Sequence, residues 1–221
     1  MTLTRLDAQS TTLVLHPGYQ DPGGTGWPTH SVVLAGERPI LLAAFNGGFK
    51  LAVGAGGMAV GSRQAGVLQP GLASVVTYSD GGSQIGRWHQ DVPSPARRVA
   101  SVRQNLQLLV DAGQPASSVD SRDAWGATLG GGLVVARSAL GIDTAHDLIW
   151  AGSDAASPRA LAGALVAAGA VRAMELDINP FWVCSFAFPT GQQIPLMPGQ
   201  QRTVGTYLTP WQRDFFTVDS R

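Results

Sequence analysis

Hydrophobic and polar positions alternate in short runs along this chain, punctuated by glycine and proline throughout its length. Alternation over a few residues between such breakers is the pattern of half-buried strands. On that basis strands are expected at 12–16, 31–34, 39–45, 58–60, 73–78, 84–88, 106–111, 132–136, 148–151, 173–179, 184–188 and 203–208. Ser79-Asp80-Gly81-Gly82 separates two of these runs as a hairpin turn, because Asp-Gly readily adopts the positive φ that tight turns require. One segment has a different period. In SPRALAGALVAAGAV, Ser157 suits an N-cap and Pro158 the first helical position, and Leu161, Ala164, Leu165 and Ala168 recur at helical spacing until Gly169. A second, shorter helix is expected at 117–125. The pattern predicts an α+β fold: a strand-rich single domain, residues 1–221, with a mixed or antiparallel sheet and few helices.

The run MELDINPFW (174–182) alternates most strictly. Side chains on a strand point to opposite faces in turn. Met174, Leu176 and Ile178 are therefore expected to pack inward, beneath the Leu161/Leu165 face of the helix, while Glu175, Asp177 and Asn179 share the other face. Pro180 cannot donate to a ladder and ends the strand near Asn179. The acidic face is either an ordinary solvent-facing edge or the wall of a site.

Composition narrows the choice. The chain is 44% hydrophobic and only 14% charged, which argues for a compact globular protein. Fifteen basic residues balance fifteen acidic ones, removing the electrostatic reason to expect nucleic acid or an anionic membrane as partner. With Cys184 as the single cysteine, neither an intramolecular disulfide nor a thiolate metal cluster can form. Its neighbours Val183 and Phe186 make it a buried thiol rather than a nucleophile. No run approaches the roughly 18 apolar residues of a transmembrane segment, and MTLTRLDAQS lacks the regions of a signal peptide. The four histidines share no metal-ligand spacing.

Four motifs then occur in order: AAFNGGFK (43–50), NLQLLVDAG (105–113), RSALGID (137–143) and the helix–strand segment ending in MELDINP. Together they resemble the phosphodiester glycosidase domain family, and LHPGYQDPGG (15–24) is similar to the opening of its bacterial, especially actinobacterial, members. The resemblance implies a hydrolase that cleaves a glycosyl phosphodiester, or a related glycan linkage, in a bacterial envelope or secreted polymer. An extracytoplasmic or cell-envelope location goes with it. One departure stands out. The family commonly follows Leu-Asp with three glycines and a serine, whereas Leu176-Asp177 precedes Ile178-Asn179-Pro180-Phe181-Trp182. The glycine loop that could bring backbone N–H groups to a phosphate is missing, which favours an alternative: a glycan-binding or scaffold module without turnover.

Cleaving the bond from an anomeric carbon to a phosphate oxygen calls for a carboxylate near that carbon and for cationic or N–H donors around the phosphate. Glycosidases commonly use two carboxyl groups. By its match to the family motif Asp177 is the expected nucleophile or base, with Glu175 either the second carboxyl group or a structural partner of an arginine. Arg137 also matches a family arginine; its fork would hold the phosphodiester or neutralise a buried acid. Ser138 would add a hydroxyl. Asn46, Gly47 and Gly48 form either a ligand-approaching loop or an ordinary Asn-Gly turn. Arg103 and Asn105 face the pocket or the surface, Asn179 assists Asp177, and Trp182 is the expected sugar platform. The expected partner is a carbohydrate or glycosyl phosphate; no cofactor is implied, and the carboxylates allow a divalent cation without demanding one.

Overall fold

The computed structural model describes residues 1–53, 56–121, 123–126 and 131–221. In chain order, β1 is Thr2–Leu6, β2 Thr11–His16, β3 Leu41–Asn46, β4 Met58–Val60, β5 Arg63–Ala65, β6 Ala73–Tyr78, β7 Ser83–Arg87 and β8 Val99–Gln104. Then come β9 Leu108–Asp111, β10 Gln114–Pro115, β11 Val135–Ile142, β12 Leu148–Ala156, helix α1 Pro158–Ala167, β13 Arg172–Glu175, β14 Ser185–Ala187, β15 Ile194–Pro195 and β16 Phe215–Ser220. They form three sheets, ordered β1-β12-β11-β13-β9-β10, β15-β14-β3-β16-β2 and β5-β4-β8-β6-β7. Every strand pairing in them is antiparallel.

With one α-helix beside three antiparallel sheets among the described residues, the fold is nearly all-β. This corrects the α+β class expected from the sequence. The expected helix at 117–125, of which residue 122 lies outside the described residues, is a series of turns. Val119 N–H donates to Ala116 O and Ser121 N–H to Ser118 O, while the Trp125 indole N–H donates to Ser118 O at 2.8 Å. The buried indole holds the segment in a bent path that a helix would straighten. Two expected strands are also absent. Residues 31–34 and 203–208 are bends and turns, cross-linked to one another by Val33 N–H donating to Tyr207 O at 2.8 Å.

Helix α1 forms as its sequence dictates: the Ser157 hydroxyl accepts from Ala160 N–H, Pro158 sits in the first turn, and Gly169 follows at φ +97°. Its position differs from expectation. Leu161 and Leu165 pack with Ala173, on the face of β13 opposite Met174 and Leu176. Those two residues instead join the central core, which draws Phe45, Phe216, Val75, Leu140 and Trp150 from all three sheets. Strand β13 is thus covered on both faces, and it lies between β11 and β9. It is no solvent-facing edge, and it ends at Glu175 rather than at 179.

Candidate functional site

Where β13 ends, the chain turns out of the sheet and Asp177 folds the next residues around itself. Its Oδ1 accepts from the N–H groups of Ile178 (2.7 Å) and Asn179 (2.9 Å). Asn179 repeats the device, its Oδ1 accepting from Phe181 N–H at 2.9 Å. These two side-chain-to-backbone turns occupy the place where the sequence resemblance would call for a glycine loop. They also spend the N–H groups of Ile178 and Asn179 on Asp177, so these two donors are not free for a phosphate. Asp177 Oδ2 points the other way, to Arg213 Nη2 at 3.3 Å.

Asp177, Ile178, Asn179, Trp182 and Arg213 form one side of a cleft of about 510 Å³, with Phe49, Lys50, Val53, Leu106, Asp123 and Gly126 completing its wall. Asp177 is only 4% exposed, and burial pushes its carboxyl up to about 6, against the lowering effect of the Arg213 guanidinium and the two N–H donors. Arg213 is itself tightly held. Nη2 donates to Gly48 O at 2.9 Å, Nε lies 3.4 Å from Asp21 Oδ2, and the guanidinium sits over the Trp182 ring at 5.1 Å. A basic group thus stands against the acid, inside a partly apolar cleft open to solvent through Lys50 and Asp123.

A layer of buried polar residues supports this wall. Asn46 Nδ2 donates to Gly47 O and to Ser138 Oγ, both at 2.9 Å, and Asn46 Oδ1 accepts from Cys184 N–H at 3.3 Å. Ser138 Oγ accepts from Asp177 N–H at 3.3 Å, and Ser138 N–H donates to Asp177 O at 2.9 Å. Asn105 Nδ2 donates to Glu175 O (2.7 Å) and Leu176 O (3.0 Å), while its Oδ1 accepts from Phe49 N–H. These three side chains fix the backbone on either side of Asp177 and tie it to the loop after β3.

The glycines of that loop answer to a residue the sequence reading missed, Asp214. Its carboxylate forms a bidentate pair with Arg103, Nε to Oδ2 at 2.7 Å and Nη2 to Oδ1 at 3.1 Å, both side chains being essentially fully buried. Gly48 N–H donates to the same Oδ2 at 3.1 Å. A Cβ at Gly47 would lie 1.9 Å from Asp214 Oδ2, and one at Gly48 would lie 2.9 Å from Arg103 Cζ. The two glycines therefore let the backbone approach a buried ion pair. Gly47→Ala is expected to destabilise the fold by about 2–3 kcal/mol, since Asp214 cannot yield without losing Arg103; urea unfolding monitored by tryptophan fluorescence measures it.

Arg137 and Glu175 lie apart from the cleft wall. Their side chains are 1% and 0% exposed and meet at 2.5 Å, Nη1 to Oε1. The remaining guanidinium donors go to the carbonyls of Ala156 (3.0 Å), Trp125 (3.1 Å) and Leu133 (3.1 Å). Burial drives the Glu175 carboxyl up to about 8 in spite of Arg137, and its Oε2 is buried without a hydrogen-bond partner. Of the residues singled out from the sequence, the structure thus places Asp177, Asn179 and Trp182 on the cleft. Asn46, Gly47, Gly48, Arg103, Asn105 and Ser138 lie in the layer behind it, and Arg137 and Glu175 form a sealed pair. Arg213, Asp214, Asp21, Lys50 and Asp123 were not singled out. The Arg-Asp dipeptide at the head of β16 was the one signal, since adjacent opposite charges before an apolar strand must each find a partner. Among the described residues no three His, Cys, Asp or Glu side chains are grouped as metal ligands would be, and no helix is long and apolar enough to cross a membrane.

The architecture is shared with solved structures of low sequence identity. The chain shares its fold with the catalytic domain of zebrafish N-acetylglucosamine-1-phosphodiester alpha-N-acetylglucosaminidase, a structure auto-inhibited by its pro-peptide. The TM-score is 0.64 at 17% identity, over 99% of this chain and 76% of that one. A hypothetical protein from Synechocystis matches with a TM-score of 0.52 at 13% identity, over 99% of this chain and 59% of that one. At these identities the likeness is one of fold. By sequence, no family model and no curated protein matches.

Proposed function

We propose that the chain is a hydrolase of glycosyl phosphodiesters, with Asp177 as its reactive carboxylate and Arg213 as the phosphate-facing cation. The observation that carries this reading is their pairing on the wall of one cleft, Asp177 Oδ2 to Arg213 Nη2 at 3.3 Å. A phosphate leaving group needs little protonation, so one ionised carboxylate can act on the anomeric carbon directly or through water. The guanidinium meanwhile gathers charge developing on the departing phosphate. Lys50 adds a second cation, and Asp123 is the second carboxyl group lining the cleft. Asn46, Ser138 and Asn105 act as positioning residues through the Asp177 backbone, and the Arg137–Glu175 pair braces the strand ends from below. The fold shared with a phosphodiester glycosidase supports the class of reaction. An extracytoplasmic site of action, on an envelope or secreted polymer, belongs to the same proposal.

The competing reading is a glycan-binding module of the same fold, favoured by the spent N–H groups of Ile178 and Asn179. Turnover of a chromogenic sugar-1-phosphodiester, compared with the matched glycoside lacking phosphate, decides between them. The proposal expects hydrolysis of the first and little of the second. Binding without turnover would establish the module, and equal rates would remove the phosphate from the recognition.

The charge state of Asp177 gives a further expectation. The carboxylate is the reactive form, so the rate should rise with pH and level off above about 6. Arg213 lowers this acid's pKa, so Arg213→Gln should move the rising limb to higher pH as well as weaken substrate binding. A pH–rate profile of both proteins reads this shift; a limb that stays in place would show that Arg213 does not tune Asp177.

A further inference from the structure

Over the same Trp182 ring that Arg213 faces lies a second cation, Arg202, that no acid among the described residues neutralises. Arg202 donates through Nε to Phe181 O at 2.6 Å, and among the described residues its two terminal nitrogens have no hydrogen-bond or ion-pair partner. The group is nonetheless fixed in place. It lies over the rings of Trp182 and Trp211, 4.9 Å from each centroid, and the two indoles meet edge to face at 5.8 Å. Two aromatic faces and one carbonyl hold the guanidinium, which leaves its fork for something outside the protein. Arg202 also lines a second open groove, of about 530 Å³, formed by residues 195–204. The same side chain lies over Trp182, a wall residue of the Asp177 cleft.

The spacing of the two cations is restricted. Arg213 and Arg202 lie 5.1 Å and 4.9 Å from the same Trp182 ring, so their guanidinium carbons are no more than about 10 Å apart. Arg213 is balanced by Asp177 and Asp21, whereas Arg202 has no carboxylate within ion-pair distance among the described residues. Two neighbouring cations, one of them partly exposed on two aromatic faces and without an acid among the described residues, form a site for two anionic groups about one sugar unit apart.

We propose that Arg202, seated on Trp182 and Trp211, binds a second phosphate one repeat away from the scissile bond. The preferred substrate is then a glycosyl-phosphate oligomer or polymer rather than a single sugar phosphodiester. The inference rests on the phosphodiester reading above and specifies its substrate class. The polymer would run from the Asp177 cleft across the Trp182 edge into the groove of residues 195–204. A charge-assisted fork to phosphate is strong enough to raise affinity about tenfold or more.

The test compares two defined substrates: a chromogenic sugar-1-phosphodiester, and the same compound extended by one sugar bearing a second phosphodiester. The wild-type protein is expected to favour the longer one about tenfold or more in kcat/KM, chiefly through KM. Arg202→Met, which keeps the apolar stem against the indoles, should bring the ratio close to one. A wild-type ratio near one, or a preference that survives in Arg202→Met, overturns the subsite. If the wild type hydrolyses neither compound, the enzyme reading fails, and titration calorimetry with the same two compounds decides the subsite. Tighter binding of the diphosphorylated compound, lost in Arg202→Met, sustains it; equal binding, or none, overturns it.

Discussion

Asp177→Asn should lower kcat on a sugar-1-phosphodiester by about 10³-fold or more, while leaving a fully folded protein. The amide keeps the Oδ1 acceptor for the Ile178 and Asn179 N–H groups, so the turn after β13 survives. It removes the charge that can attack or activate water, and the acceptor that Arg213 Nη2 faces at 3.3 Å. Stability should move the other way. The ordinary pKa of an aspartate is 3.8 and that of Asp177 is about 6, so the native state binds the proton more tightly than the unfolded chain. Stability is therefore lost as pH rises from about 3.8 through about 6, and at pH 7 the native protein bears the full cost of an ionised buried acid. An asparagine does not ionise. Against this, Arg213 loses one counter-charge but retains Asp21 and Gly48 O. A Tm equal to or above that of the wild type at pH 7, combined with lost turnover, is the signature of a residue held in place for chemistry. Full activity in a folded Asp177→Asn protein would remove Asp177 from the reaction.

That an acid-bearing strand ends near here was legible locally, but Asp177 was singled out over Glu175 by the motif resemblance, and the surroundings of both were not legible. The alternation in MELDINPFW and the proline after Asn179 mark the end of a strand, and a strand end beside a loop is where a polar side chain can reach a cleft. The cap on α1 and the Asp-Gly hairpin between β6 and β7 are local in the same way. Strand β8, Val99–Gln104, was not among the expected strands; Arg103 by residue type suits a surface, and Gln104 is as polar. They are fully buried, and what buries Arg103 is Asp214, 111 positions away. Strand β16 was missed with it, although it is the inner strand between β3 and β2. Its Arg213-Asp214 head carries two opposite charges to two different partners, and nothing nearby in sequence identifies either. Arg137 and Glu175 show the reverse difficulty. Their residue types suit catalysis equally well, and only burial separates a sealed pair from a reactive one. The α+β expectation went astray at 117–125, where spacing suggested a helix and the Trp125 indole, bonded to Ser118 O, holds turns instead.

Arg137→Met is expected to cost about 3–5 kcal/mol in unfolding free energy, the largest stability loss among these variants. The substitution leaves the buried carbonyls of Ala156, Trp125 and Leu133 without donors and takes from the Glu175 carboxyl its one hydrogen-bond partner among the described residues, in a dry site. Glu175→Gln should cost much less, because the native state already favours the neutral side chain. Burial raises this carboxyl from 4.5 to about 8, so the folded protein holds the proton more tightly than the unfolded one. The contribution to stability is therefore full below about 4.5 and falls as pH rises through about 8. In Glu175→Gln that decline should vanish, leaving the smaller ones from Asp177 and Asp219, both raised to about 6. Guanidinium unfolding at pH 5, 7 and 9 separates the variants. The double change Arg137→Met/Glu175→Leu should recover only the part of that loss that comes from the unpaired carboxyl, since the carbonyls of Ala156, Trp125 and Leu133 remain without donors. The site connects to this through β11 and β13, which carry Arg137 and Glu175 one and two residues from Ser138 and Asp177. A double variant that is stable yet slow, with its deficit confined to kcat, would show that the ion pair sets the position of Asp177. One that is stable and fully active would show that the pair serves the fold alone.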